Sequence, residues 1–290
     1  MRFTGRKRGV TALWDVAHPA RPSRLAGVTM AGFGVHSLAA VRMVPHPAVT
    51  VAVEFGAGTP TVDDSAGRRQ RGSLVAGVGF GVGGGAWARG ENVECVQVRL
   101  SPMVVRAILG VSPADLEGTV VALDDLWGRE TSRIRERLSE VSSWQDRFAL
   151  TDALLARRFE ARSSVDPEVA WVWKRIVADH GRVRIDRLAD EVGWSRKRLW
   201  SRFHAQIGLP PKRAARLVRF DHAADRLSAG EGAARVAAEA GYADQSHLHR
   251  DVVAFSGATP ATLTNEPFLA VDDVAWPTLR TPSPSPTSAN

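Results

Sequence analysis

The chain has a single cysteine, Cys95, in 290 residues. That excludes an internal disulfide and a thiolate metal cluster, and it makes a reducing compartment the default. No apolar run approaches the roughly 20 residues of a membrane span. Arg2, Arg6, Lys7 and Arg8 make the start basic, but no apolar segment follows, so a secretory signal is not expected. The expectation is a cytoplasmic protein without a membrane partner. Metal-binding histidine is also scarce. His18, His36 and His46 form no His-x-His pair on a strand, and His46 between Pro45 and Pro47 reads as a turn residue. His247 and His249 are two apart, a spacing that points the rings apart on a helix. Asp63-Asp64 and Asp124-Asp125 read as solvated loop or cap charges, and no Ser/His/Asp or Cys/His arrangement is supported. Gly79-Phe-Gly-Val-Gly-Gly84 has the form G-x-G-x-x-G, but Gly85, Trp87 and Gly90 follow where a dinucleotide site needs a helix. The expectation is no metal, no cofactor and no enzyme.

What is present is length, apolar content and unevenly placed charge. Hydrophobic residues make up 44% of the chain, enough for the cores of two domains. The net charge is +7. Trp171 to Thr264 holds 16 Lys and Arg against 10 Asp and Glu, whereas Gly9 to Ala170 holds 17 against 18. The positive charge therefore sits in the C-terminal part, which suits a polyanionic partner.

That part contains one pattern twice. Ala189 stands four residues before Gly193, and Ala237 four before Gly241. An aromatic follows each glycine, Trp194 or Tyr242, and then an N-cap residue, Ser195 or Asp244. A small alanine lets two helices approach, and the glycine supplies the left-handed turn between them. Leu199, Phe203 and Ile207 then recur at helical spacing, as do Leu248, Val252 and Phe255. Two helix-turn-helix units result, joined by a helix over Pro211 to Ser228. At 1.5 Å per residue that helix is about 25–27 Å long.

Over roughly its last third the chain resembles the DNA-binding domain of AraC/XylS-type transcription regulators, including the closing Gly257-Ala-Thr-Pro260 run. Ser201 stands where that family usually has arginine, and Val252 where it usually has phenylalanine. The resemblance implies that two recognition helices enter successive major grooves, about 34 Å apart. Matched residue by residue, it puts DNA contacts at Lys197, Trp200, Ser201, Gln245, Ser246, His247, His249 and Arg250. Arg196 joins them because Leu199 and Phe203 take the inward face. Trp200 either presses on the duplex or caps its own core. Ahead of this, Arg42-Met-Val-Pro-His-Pro, Val98-Arg-Leu-Ser-Pro, Ile108-Leu-Gly-Val and Leu123-Asp-Asp-Leu-Trp-Gly look like the N-terminal domain of a group of actinobacterial regulators of the same type. That likeness implies a small cupin-like β-barrel with flanking helices.

The expected fold is α+β. Residues 1–24 are a loose basic arm, 25–165 an effector-binding domain, 166–266 the DNA-binding domain and 267–290 a disordered tail. Thr59 to Gly72 reads as a long loop. Val49, Val51 and Val53 alternate as a strand does, as do Val96, Val98 and Leu100. Arg133 to Phe159 is helical, broken near Ser142-Ser143, and is the expected route from effector to DNA. In the first helix of the DNA-binding domain, Trp171, Ile176 and Val177 are the expected core. Phe33, Phe55, Phe80 and Trp87 are the candidate effector pocket. The functional expectation is a transcription regulator under a small organic effector. The alternative is a DNA-binding protein whose N-terminal domain dimerises or recruits a partner without sensing. RNA polymerase and a second copy of the chain are the further partners this reading admits.

Overall fold

The computed structural model describes residues 2–4, 13–64, 66–159 and 165–276. Arg6, Lys7 and Arg8 of the basic start, and the tail beyond Trp276, lie outside the described residues.

Among the described residues, nine antiparallel strands make the sheet of the N-terminal domain: β1 Arg2–Thr4, β2 Leu13–Ala17, β3 Val28–Arg42, β4 Val49–Glu54, β5 Thr61–Asp63, β6 Arg69–Arg71, β7 Leu74–Ala76, β8 Trp87–Leu100 and β9 Val120–Ala122. Their order is β1-β2-β3-β8-β4-β7-β9, with β5 on β8 and β6 on β5. The two long strands β3 and β8 pair from Val28↔Leu100 to Arg42↔Trp87 and form the spine. Among the described residues, strands β1 and β9 end the path without meeting, so the sheet is open there and the expected barrel is not formed. The reason lies in β8. Its second half pairs with β4 and its first half with β5, which splits that side of the sheet in two instead of carrying it round to β1. Two other expectations also change. Thr59 to Gly72 is not a long loop but holds the β5–β6 hairpin, and residues 2–4 and 13–17 of the expected arm are strands.

Period-two alternation sorts the side chains of the spine. Val28, Met30, Val96, Val98 and Leu100 belong to the main core, and Ala31, Phe33, Val35 and Cys95 to a second core on the opposite face. Burial, with Glu54 adding to it, pushes the Cys95 thiol up to about 12, so it stays a protonated apolar side chain. Helices α1 Pro102–Leu109, α2 Leu123–Trp127, α3 Arg129–Glu140 and α4 Trp144–Arg158 complete the domain. The break between α3 and α4 falls at the two serines, where Ser143 caps α4 by accepting from Asp146 N. Trp144 lies flat on Gly32, where an added Cβ would come within 2.4 Å of its ring.

The C-terminal part is helical: α5 Pro167–Ala178, α6 Ile185–Glu191, α7 Arg196–Ile207, α8 Pro211–Ser228, α9 Ala233–Glu239, α10 Gln245–Ser256, α11 Pro260–Leu263 and α12 Pro267–Ala275. In α5 the buried positions are Val169, Val172, Trp173 and Ile176, while Trp171 and Val177 are exposed. The inward stripe is thus the i, i+3, i+4, i+7 set, and Trp171 and Val177 fall off it. The expected disordered tail opens with α12. Val271, Ala275 and Trp276 of this segment pack into the second core against Phe33 and Trp14. The main core runs without interruption from the sheet into α5–α10.

Candidate nucleic-acid interface

Each helix-turn-helix unit is built on the same short-range bonds. In the first, Gly193 adopts φ 67°, Trp194 N donates to Ala189 O at 2.9 Å, and Ser195 Oγ accepts from Arg198 N at 3.2 Å. In the second, Gly241 adopts φ 76°, Tyr242 N donates to Ala237 O at 3.0 Å, and Asp244 Oδ1 accepts from His247 N at 2.7 Å. The left-handed turn is why glycine stands at both places. Each N-cap bond satisfies one of the donors that a helix start leaves free. Leu199, Phe203 and Ile207 are fully buried under α7, as are Leu248 and Val252 under α10, with Phe255 nearly so.

The opposite faces carry the expected contact residues. Arg196, Lys197, Trp200 and Ser201 are exposed on α7, and Gln245, Ser246, His249 and Arg250 on α10. Trp200 is 52% exposed and does not cap a core. It leans on His204, ring centroids 5.2 Å apart. His247 is the exception on α10. It is half-buried, edge-on to Tyr242 at 5.2 Å, and its Nδ1 accepts from Ala243 N at 3.4 Å.

Helix α8, 18 residues long, holds the two units apart. It buries Leu217, Val218, Phe220 and Leu227 and offers Arg216 and Arg219 to Asp251 of α10, at 2.7 and 3.2 Å. Asp251 is 3% exposed, so α10 is tied to α8 by a buried carboxylate shared between two guanidinium groups.

Ion pairing reduces the free positive charge. Arg202 is taken by Asp166, Arg213 by Glu117, and Arg226 by Glu231 and Glu239. Arg198 lies over the Trp194 ring. Arg196, Lys197 and Lys212 have no ion pair among the described residues. Sequence reasoning missed Lys212 and Arg213, although a local signal marks them. The first turns of α7 and α8 hold cations and no acid, which opposes the helix macrodipole. Such a broken rule at two helix starts is expected where an anion is to be bound.

The N-terminal domain touches the C-terminal ends of both recognition helices. Ser112 Oγ donates to Ala205 O of α7 at 2.8 Å. Gly83 N donates to Phe255 O of α10 at 2.9 Å, and Arg42 Nη1 donates to Ser256 O at 3.2 Å. These carbonyls are among those that a helix end leaves without an internal partner.

The four aromatic residues of the candidate pocket are not brought together. Phe33 is in the second core, edge-on to Trp14 at 6.2 Å. Phe55 is in the main core beside Trp144, with Arg147 over its ring. Phe80 packs in a third cluster with Val62, Leu74, Ala86 and Val120. Trp87 lies under Arg42 at 4.6 Å. Phe33, Phe55 and Phe80 are thus each taken up by a different apolar core.

Residues 188–266 match the family described as a helix-turn-helix domain. The C-terminal region is thus a helix-turn-helix domain. No curated protein matches the chain. Among solved structures, the apo form of a ToxT variant from Vibrio cholerae strain SCE256 is 9% identical over 85% of this chain and 99% of that chain, with a TM-score of 0.49. Wild-type ToxT of the same strain, bound to an unsaturated fatty acid, is 12% identical over 85% and 97%, with a TM-score of 0.46. The C-terminal domain of AraT, a response regulator from Geobacillus stearothermophilus, is 16% identical over 34% and 85%, with a TM-score of 0.33. Among the described residues no helix is long and apolar enough to cross a membrane.

Proposed function

We propose that this regulator reads a two-part DNA site as a monomer, with α7 and α10 in successive major grooves and the N-terminal domain setting how readily they engage. The carrying observation is the pair of exposed stripes, Arg196-Lys197-Trp200-Ser201 and Gln245-Ser246-His249-Arg250, held apart by one rigid helix. Arg196 and Lys197 suit guanine and phosphate, Gln245 suits adenine, and Arg250 suits guanine. A small organic effector of the N-terminal domain would act through the surfaces that touch α7 and α10. That route differs from the α3–α4 pair, which lies over the sheet. The complete packing of Phe33, Phe55 and Phe80 favours a second reading, in which this domain recruits RNA polymerase or a second copy of the chain and holds no ligand. The test is selection of bound duplexes by the full chain from a random library. Two conserved blocks about one helical turn apart support the reading, and a pool with no enriched sequence overturns it.

A further inference from the structure

Glu117 belongs to the N-terminal domain, yet both oxygens of its carboxylate face the DNA-binding domain. Oε1 accepts from Arg213 Nη1 at 2.7 Å, and Oε2 lies 3.0 Å from His204 Nε2. Glu117 closes the 3-10 turn Pro113–Leu116, which is fastened to α7. Ser112 Oγ bonds to Ala205 O, and a Cβ on Gly208 would fall 2.7 Å from Pro113 O. His204 is not on the buried side of α7. It continues the exposed stripe of Lys197, Trp200 and Ser201 by the i, i+3, i+4, i+7 rule and touches the Trp200 ring. Arg213 sits in the acid-free first turn of α8, next to Lys212. One anion whose two oxygens are each taken by a separate N–H donor, beside a stripe that faces the duplex, has the geometry in which a phosphodiester is held.

We infer that His204 and Arg213 form a DNA-phosphate contact of the first unit, and that Glu117 occupies this site as a phosphate mimic until the N-terminal domain withdraws it. The inference rests on α7 being a recognition helix. Side-chain exposures of 25% for Glu117, 31% for His204 and 45% for Arg213 leave the site open to exchange with solvent anions and DNA. The first unit then binds DNA in two grades, without this contact while Glu117 is seated and with it once Glu117 leaves. No reorganisation of the helices themselves is required.

The experiment is a fluorescence-anisotropy titration of a labelled mixed-sequence duplex by the full chain across a range of KCl. Each DNA phosphate neutralised adds about 0.9 to the slope of log K against log salt, or about eightfold per decade of salt. Glu117→Gln is expected to bind more tightly at low salt and to steepen the slope by about that amount. Glu140→Gln, which changes the net charge equally from an exposed position on α3, should do neither. Arg213→Gln should barely alter the wild type but should cancel the gain of Glu117→Gln when the two are combined. Were the domains merely undocking, Arg213→Gln alone would tighten binding as Glu117→Gln does, and that result overturns the inference. So does a Glu117→Gln variant indistinguishable from Glu140→Gln while Lys197→Ala still weakens binding. If Lys197→Ala itself changes nothing, the assignment of α7 to DNA fails first.

Discussion

The two recognition helices share a frame and differ in charge. Helix α7 starts with Arg196-Lys197-Arg198, and α10 with Gln245-Ser246-His247. From Gly193 to Arg226 there are nine Lys and Arg against two acids, and from Ala234 to Gly257 two against three. The N-terminal domain meets the two ends with opposite signs. Glu117 faces α7, and Arg42 faces the C-terminus of α10, where a cation suits the dipole. In the proposed reading the first unit is an electrostatic handle with an acidic brake, and the second, with a balance of −1, is a reader whose place is set by α8 rather than by phosphate.

The largest effect expected from this contrast is at Asp251. Replacing a buried carboxylate that two guanidinium groups share leaves Arg219, itself 16% exposed, without its partner. Breaking a buried pair costs about 3–5 kcal/mol, and the 44% exposure of Arg216 places this one near the lower end. Asp251→Ala should lower the unfolding free energy of the full chain by about 3 kcal/mol in urea denaturation. It should also blur base preference at the second half-site alone. An unchanged denaturation midpoint would mean that α10 does not depend on α8.

The two units could be read from sequence because everything that builds them is local: an alanine, a glycine four residues on, an aromatic, a cap, then a helical stripe. The open sheet could not. Whether β8 carries the sheet round to β1 or divides between β4 and β5 depends on pairings between residues far apart in the chain, and the polar alternation of Arg69–Arg71 looks like a loop. The same distance hid the fate of Phe33, Phe55 and Phe80. Each is plainly apolar, but which layer covers it is a long-range matter. Trp171 was misjudged through a two-residue error of phase against Trp173. Helix α12 was missed because the Pro/Ser/Thr bias begins only after Trp276, whereas Phe268 to Trp276 is apolar enough to order. Glu117 carried no signal in sequence, since a lone acid beyond a short turn is ordinary.

A smaller effect separates the units directly. Lys197→Ala should cost about 1–3 kcal/mol of binding, lower the salt slope by about one, and relax preference at one base pair. Gln245→Ala should cost a similar amount at a base pair about one helical turn away and leave the slope almost unchanged. Measured on a mutated library of sites across salt, equal slope changes for both variants would erase the distinction between handle and reader. So would loss of preference at the same base pair.

The smallest effect concerns the helix between them. Midway along α8, Asp221 meets His46 of the N-terminal domain, with the carboxyl 2.7 Å from Nδ1 though off the line of a straight hydrogen bond. Arg99 and Asp272 face the same junction. Burial, opposed by Arg99 and reinforced by Asp272, pushes Asp221 up to about 8. Burial, then Arg99, pushes His46 down to about 3, against Asp272. Both side chains keep an accessible edge, 16% for His46 and 25% for Asp221, which tempers both shifts. For Asp221 the folded chain holds its proton more tightly than the unfolded chain, so this stabilisation fades as pH rises toward 8. For His46 the unfolded chain binds the proton better, so stability is lost as pH falls from about 6.5 toward 3. Between about 4 and 6.5 the two oppose each other, and above about 6.5 only Asp221 still titrates. The melting temperature of the full chain should therefore fall between pH 6.5 and 8, and Asp221→Asn, which fixes the neutral form, should remove that fall. An identical pH profile for the variant would show that the Asp221–His46 contact adds no titrating step to the docking of α8, leaving its apolar face and the Arg213–Glu117 pair to hold it. No protonation step at this contact would then lie between the two units.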